Sequence, residues 1–236
     1  MSAAFSVTPI GTIRSPYREK FAVPRQPGLV SCAIGELELL PPFNDPQALR
    51  EIEQFSHLWL IFQFHECADA PWHPTVRPPR LGGNERVGVF ASRSPFRPNS
   101  LGLSVVRLLG VRQQGSRLWL ELGGLDLVDG TPVVDIKPYI PFVDSQPDAC
   151  GGFAPEPPPC MAVEFTPQAE ADLLCHKTTH PRLRELIGQV LAQDPRPAYH
   201  KQQESEREYG VHLYDYNVRW QVRDQVNQVT TIEKTK

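Results

Sequence analysis

Seven residues, Arg93 to Asn99 (RSPFRPN), hold two arginines, two prolines and an asparagine ahead of an alternating apolar run, Leu101, Leu103 and Val105. Proline biases the residue before it toward extended backbone, so Ser94 and Arg97, each followed by proline, are aimed rather than floppy. Three further polar groups stand at the ends of strand-like runs. Arg25 and Gln26 lie in VPRQPG, pinned by Pro24 and Pro27; His65 and Glu66 stand where an apolar run emerges; Asp126, Asp129 and Asp135 lie in LDLVDGTPVVDIKP. On stiff loops, arginines suit an anion or carbonyl, carboxylates a donor-rich group, and a leucine face an apolar ring, with little left to order at binding. Each member also has an ordinary structural reading: Asp129-Gly130 as a turn, His65 as a satisfied strand-end histidine, Asp126 as a loop cap.

Other chemistries are unsupported. No G-x-G-x-x-G follows a strand, no G-x-x-x-x-G-K-[ST] is present, and LGGN at 81–84 is a turn signal. No G-x-S-x-G elbow exists, and His65 and His73 are too far apart to chelate a metal from one strand or one helical turn. The five cysteines (32, 67, 150, 160, 175) form no C-x-x-C, so no metal site is expected and the thiols read as reduced.

The elements that must position these groups follow from turn chemistry. Of 236 residues, 25 are proline, which fixes φ and removes an N–H, so a strand-and-loop protein with short helices is expected. Strands are expected at Phe5–Ile13, at GELELL (Gly35–Leu40, Leu37 and Leu39 opposite Glu36 and Glu38), at HLWLIFQFH as a central strand buried on both faces, and at 87–91, 101–111, 117–122 and 133–139. A modest helix is expected over 46–55. Without long helices between strands this is a mainly β chain, a β-barrel and not a doubly wound sheet. The division expected is a barrel over 1–143, a Pro/Gly-rich linker over 144–160 (SQPDACGGFAPEPPPC) and a small α+β domain over 161–236. The last has a strand at MAVEF, helices at 167–176 and 181–193, and a closing hairpin at 210–223 and 226–233.

The net charge of −3 gives no global argument for nucleic acid, yet Arg77 to Arg97 carries five arginines against Glu85 alone, a local +4. The N-terminus lacks a signal-peptide pattern, and the longest apolar run, Leu58 to Phe62, is too short to cross a bilayer; a soluble cytoplasmic protein is expected.

Four long stretches, GTIRSPYREKFAVPRQPG, FSHLWLIFQFH, RPPRLGGNERVGVFASRSPFRPNSLGLS and LDLVDGTPVVDIKPY, resemble in order and nearly without gaps the tRNA-methyltransferase O family, and AQDPRPAY and YNVRW extend the likeness to the tail. The resemblance implies S-adenosylmethionine-dependent N6-methylation of threonylcarbamoyladenosine at position 37 of threonine tRNA, by a homodimer with a β-barrel core. It assigns Pro24, Arg25, Gln26, His65, Glu66, Arg93, Leu103, Leu125, Asp126, Leu127 and Val128 to the cofactor; from their chemistry we expect Arg93 on an anionic or carbonyl group, Asp126 on a donor-rich group, and Leu103 and Leu127 against adenine. Asp126, Asp129 and His65 are candidate proton acceptors, none singled out. Candidate RNA contacts are Arg77, Arg80, Arg86, Arg97, Arg196, Tyr199, Asn217 and Arg219, with Trp220 read as core. The alternative from another class is a non-catalytic S-adenosylmethionine- or RNA-binding regulator on the same fold.

Overall fold

Alternation of apolar and acidic residues in GELELL forces one face inward: Leu37 and Leu39 are buried and Glu36 and Glu38 face outward. The same rule builds most of the first half in a computed structural model that describes residues 6–176, 178–196 and 207–235. Strands β1 (Gly11–Arg14), β2 (Ile34–Leu39) and β3 (His57–Gln63) are followed by a two-stranded arm, β4 (Thr75–Val76) and β5 (Val87–Gly88), and then by β6 (Leu101–Gln114), β7 (Arg117–Gly123) and β8 (Pro132–Pro138). Except for the arm, these strands pair antiparallel in the order β1-β2-β7-β6-β3-β8, and β8 pairs back to β1, so the ring has no open edge. Its interior holds Ile13, Leu37, Leu58, Leu60, Leu120 and Leu122. Outside, Trp119 is buried beneath the guanidinium groups of Arg112 and Arg117, 4.0 and 4.7 Å from its ring. Glu38 joins Arg14 at 2.7 Å and Arg117 at 2.6 Å across three strands.

The second half places β9 (Ala162–Phe165) parallel to β12 (Val226–Lys234), in a sheet of order β10-β11-β12-β9 with β10 at Glu208–Leu213 and β11 at Tyr216–Arg223. A short helix α1 (Pro141–Asp144) follows the ring, and α2 (Pro167–His176) and α3 (Leu183–Ala192) cover the sheet. In α3 the buried residues Leu183, Leu186, Ile187, Val190 and Leu191 recur at three- and four-residue spacing and form one apolar face. This second core is not drawn from the tail alone. Tyr17, Ala22, Val30, Cys32 and Ala33, from the loop between β1 and β2, are buried in it. That loop is hydrogen-bonded to the β10–β11 hairpin: Tyr214 N–H donates to Pro16 O at 2.7 Å, and His212 N–H to Glu19 Oε1 at 3.0 Å.

Several expectations change. The segment 46–55 is two 3₁₀ turns, Pro46–Leu49 and Ile52–Gln54, because Arg50 is extended and Glu51 takes a left-handed φ of 67°. Strand β3 is central, paired on both edges, but only Leu58, Leu60 and Phe62 are buried; Trp59 and Ile61 face outward, half-buried. The strand expected over 87–91 ends at Gly88, and the first strand spans only Gly11–Arg14. The closing hairpin gains a third strand at Glu208–Leu213.

Close approach sets one sequence requirement near the ring mouth. A Cβ on Gly35 would lie 2.4 Å from both Arg14 O and Leu125 Cδ1. Gly35→Ala is therefore expected to cost about 2 kcal/mol by overpacking, measured as a lower urea midpoint at unchanged m-value.

Candidate functional site

Three loops meet at one mouth of the ring. The VPRQPG loop sits on the strand-to-loop corner: Gly28 N–H donates to Gly124 O at 2.9 Å, and a Cβ on Gly124, whose φ is +72°, would lie 3.3 Å from Gly28 Cα. That corner leads straight into Leu125 and Asp126. From the opposite side the Arg93 guanidinium donates to the side-chain carbonyl of Gln26, tying the RSPFRPN segment to the same loop. Ser104 Oγ, on β6 and only 1% exposed, donates to Asp126 Oδ1. Gln26 with Arg93 and Ser104 with Asp126 are thus two hydrogen-bonded pairs from distant segments, related to each other by the charge of Arg93 acting on Asp126.

The carboxyl of Asp126 is the electrostatic centre of these pairs. Burial pushes its pKa up to about 6, against the opposing influence of the Ser104 hydroxyl, its own backbone N–H and the positive charge of Arg93. Beside it, the wholly buried Tyr17 phenol has no hydrogen-bond partner among the described residues, and burial raises its pKa further than the nearby Cys32 and Asp126 do. Asp126 therefore combines an acceptor with a proton that leaves near neutrality, which suits either an ammonium or hydroxyl donor or a proton-transfer partner.

Asp129 is employed differently. Its Oδ1 accepts from Ser15 N–H at 2.9 Å, its Oδ2 pairs with Arg18, and its own N–H donates to Tyr17 O at 2.8 Å. Both oxygens are committed to fastening the β1–β2 loop. His65 opens a 3₁₀ turn after β3 and lies near the Asp129–Gly130 turn: a methyl group on Gly130 would lie 4.0 Å from its Nε2. Glu66 beside it is exposed.

The apolar assignments divide. Leu103 is 57% exposed on the outer face of β6 and offers an apolar surface, whereas Leu125 and Leu127 are buried in the ring core, so any ligand contact at 125–128 involves backbone and the Asp126 side chain. Val128 is half-buried with its carbonyl accepting from Thr131 Oγ1 at 2.7 Å. Pro24 and Arg25 face a different space: with Lys20, Val190 and Gln193 they line a cavity of about 140 Å³ between the loop and the end of α3. Sequence reasoning missed Ser104 and Ser15. Ser104 had a signal: in the run Leu101 to Val106, alternation puts it on the face opposite Leu103, among core residues, where a hydroxyl needs a partner.

The RNA candidates also separate. Arg196 is only 6% exposed and its guanidinium is held by Asp194 at 2.7 and 3.2 Å, so it braces the turn after α3 and does not reach solvent to meet a phosphate. Arg97 donates to the backbone carbonyls of Ser92 at 2.8 Å and Val89 at 3.3 Å and stiffens its own loop. Arg219 is balanced by Glu208 and Glu233, and Trp220 is buried as expected. Asn217 is half-buried opposite His212; Arg77 is exposed, Arg80 reaches Glu156 O and Arg86 reaches Thr75 Oγ1. Tyr199 lies outside the described residues. Among the described residues no helix is long and apolar enough to cross a membrane, and the five cysteines are unpaired.

A mainly β ring with a polar cluster of arginine, amide and buried carboxyl at its mouth is of a class apart from the glycine-loop nucleotide folds. Residues 12–145 match the tRNA-methyltransferase O N-terminal domain and residues 158–235 the TrmO C-terminal domain; the chain belongs to the tRNA-methyltransferase O family. It is 55% identical over 232 residues to the tRNA (adenine(37)-N6)-methyltransferase of Escherichia coli K12, covering 98% of this chain and 99% of that one. A Pseudomonas aeruginosa relative, whose name describes an S-adenosylmethionine-dependent methyltransferase, is 54% identical over 91% of each chain. The crystal structure of TrmO from P. aeruginosa superposes with a TM-score of 0.82 at 46% identity over 99% of both chains.

Proposed function

We propose that this protein is an S-adenosylmethionine-dependent tRNA methyltransferase that methylates N6 of adenine 37. The observation that carries the reading is the 55% identity to the E. coli enzyme over almost the whole of both chains. The site's chemistry fits the cofactor: Asp126 is an acceptor for an ammonium or ribose hydroxyl, Arg93 and Gln26 suit a carboxylate or ring edge, and exposed Leu103 suits a purine face. When bound, S-adenosylmethionine supplies an electrophilic methyl on a sulfonium, so the chain's own work is to align donor and acceptor and to exclude water. Asp126 and His65 are the groups left able to take the N6 proton, since both oxygens of Asp129 are bonded within the fold.

On this reading the acceptor is the threonylcarbamoylated adenosine of threonine tRNA, and the enzyme acts in the cytoplasm as a homodimer. The closed ring serves as a barrel over 1–143 that holds the cofactor through Gln26, His65, Glu66, Arg93, Leu103, Asp126 and the backbone of 125–128, with Pro24 and Arg25 on the adjoining loop, the segment 144–160 is a linker, and 161–236 helps present the anticodon loop. Firm docking of the β1–β2 loop into the second core supports a joint site over two independent modules.

Incubation with methyl-labelled S-adenosylmethionine and threonine tRNA, with and without the threonylcarbamoyl group, tests the proposal. Label on N6 of adenine 37 is expected with the modified tRNA; cofactor binding without incorporation would leave a non-catalytic regulator. In calorimetry, Arg93→Ala is expected to weaken the cofactor about tenfold, the loss of one charge-assisted contact, and unchanged affinity would remove Arg93 from the site.

A further inference from the structure

We propose that the β4–β5 arm, residues 71–97, is the surface that grips the unpaired loop of the RNA, with Trp72 and Phe90 as base-stacking platforms and Arg77 and Arg86 as phosphate contacts. The inference rests on the tRNA reading above and names where that RNA docks. The arm sets exposed aromatic rings among arginines, whereas the exposed Phe142 and Phe153 lie in a stretch with no arginine. From 71 to 99 only Val89 is buried, yet Trp72 is 50%, Phe96 42% and Phe90 73% exposed. Exposed aromatics on a short, thin hairpin add nothing to a core, and the ladder that holds them is brief: Thr75 opposite Gly88, Val76 opposite Val87, and Val89 N–H to Pro74 O at 3.0 Å.

Charge decides which partner fits. The arm's five arginines stand against Glu85 alone, and among the described residues none of the five is ion-paired, whereas Arg14, Arg18, Arg112, Arg117 and Arg219 all have carboxylates. Their partners are neutral: Gln26 for Arg93, Thr75 for Arg86, backbone carbonyls for Arg80 and Arg97. Arg93 acts on the Asp126 carboxyl, and the positive charge of the other four, Arg77, Arg80, Arg86 and Arg97, is available. A twofold interface between copies lays a patch on itself, and this one would set like charges against like. Single-stranded RNA supplies the complement, phosphates for the arginines and π faces for the rings. Arg97 lies 5.8 Å from the Phe90 ring centroid and backs it as a platform. Arg93, at the base of the arm, belongs to the cofactor cluster, so a nucleotide held on the arm is beside the site.

The test measures binding of a labelled anticodon stem-loop RNA to the full chain by fluorescence anisotropy over a salt series, with cofactor calorimetry and sedimentation alongside. Phe90→Ala and Trp72→Ala are each expected to weaken RNA binding about tenfold, the scale of one lost stacked base. Arg77→Gln is expected to lower the slope of log affinity against log salt by about one. All three should keep wild-type cofactor affinity. Unchanged RNA affinity and slope in these variants overturn the assignment while leaving the methyltransferase reading intact. Unchanged RNA affinity with a reduced sedimentation coefficient assigns the arm to contact between copies instead. A wild-type chain that binds cofactor but no RNA removes both.

Discussion

Asp126→Asn is expected to make the ligand-free protein more stable at pH 8 by about 3 kcal/mol, to leave it unchanged at pH 4, and to weaken S-adenosylmethionine binding at least tenfold. The stability term follows from the raised pKa. In the unfolded chain the carboxyl titrates at its ordinary 3.8, while burial in the folded protein lifts it to about 6. Between those values the folded state binds the extra proton. Stability is therefore full below pH 4, falls as pH rises through 6, and stays reduced above 7. A gap of about two pH units corresponds to about 3 kcal/mol. Asparagine keeps an acceptor for Ser104 Oγ and removes the charge, so urea midpoints of wild type and variant should converge at acid pH and separate above neutrality. The opposite movement of cofactor affinity is what identifies a functional carboxylate, one retained against its own cost to folding. Parallel pH profiles for the two proteins would mean that Asp126 does not titrate in this range.

Ser104→Ala sharpens the same point. Its hydroxyl lowers the Asp126 pKa, so its removal should shift the pH dependence of cofactor binding upward, an effect that a purely packing role for Ser104 would not produce.

What the sequence disclosed and what it hid divide along a physical line. Period-2 alternation is local, so Leu37 and Leu39 announced their strand and its buried face; α3 did the same at helical spacing. Proline-stiffened loops marked Arg93 and Gln26 as candidates, but only the fold could show that they bond to each other across 67 residues. Ring closure rests on pairings such as β1 with β8, far apart in sequence, which no local pattern encodes. The proline-rich surroundings of Arg196 gave no sign of its burial against Asp194, which depends on the chain around it. The β1–β2 loop hid its role for the same reason. Its apolar residues have no period, since they are spaced to fit helices contributed by the other end of the chain.

That loop makes Asp129 the residue whose loss should be felt most widely. Asp129→Ala is expected to destabilise the protein by about 3 kcal/mol and to speed amide exchange in β10 and the turn at 214–215, without first altering cofactor affinity. The ion pair with Arg18 is a minor part, because Arg18 is half exposed and such pairs contribute under about 1 kcal/mol. The larger part is the Ser15 N–H, whose residue is buried and would lose its acceptor, at about 1–3 kcal/mol. Arg18 also donates from Nε to Tyr214 O at 3.0 Å, so when its carboxylate anchor goes, the bond to the C-terminal hairpin loosens with it. Asp129→Asn, which keeps the acceptor for Ser15, should recover most of the stability, and Arg18→Ala should lose only the smaller share. This ordering separates a brace from a base. Were Asp129 the acceptor of the N6 proton, Asn and Ala would be equally inactive at wild-type stability; as a brace, activity should follow stability through the series.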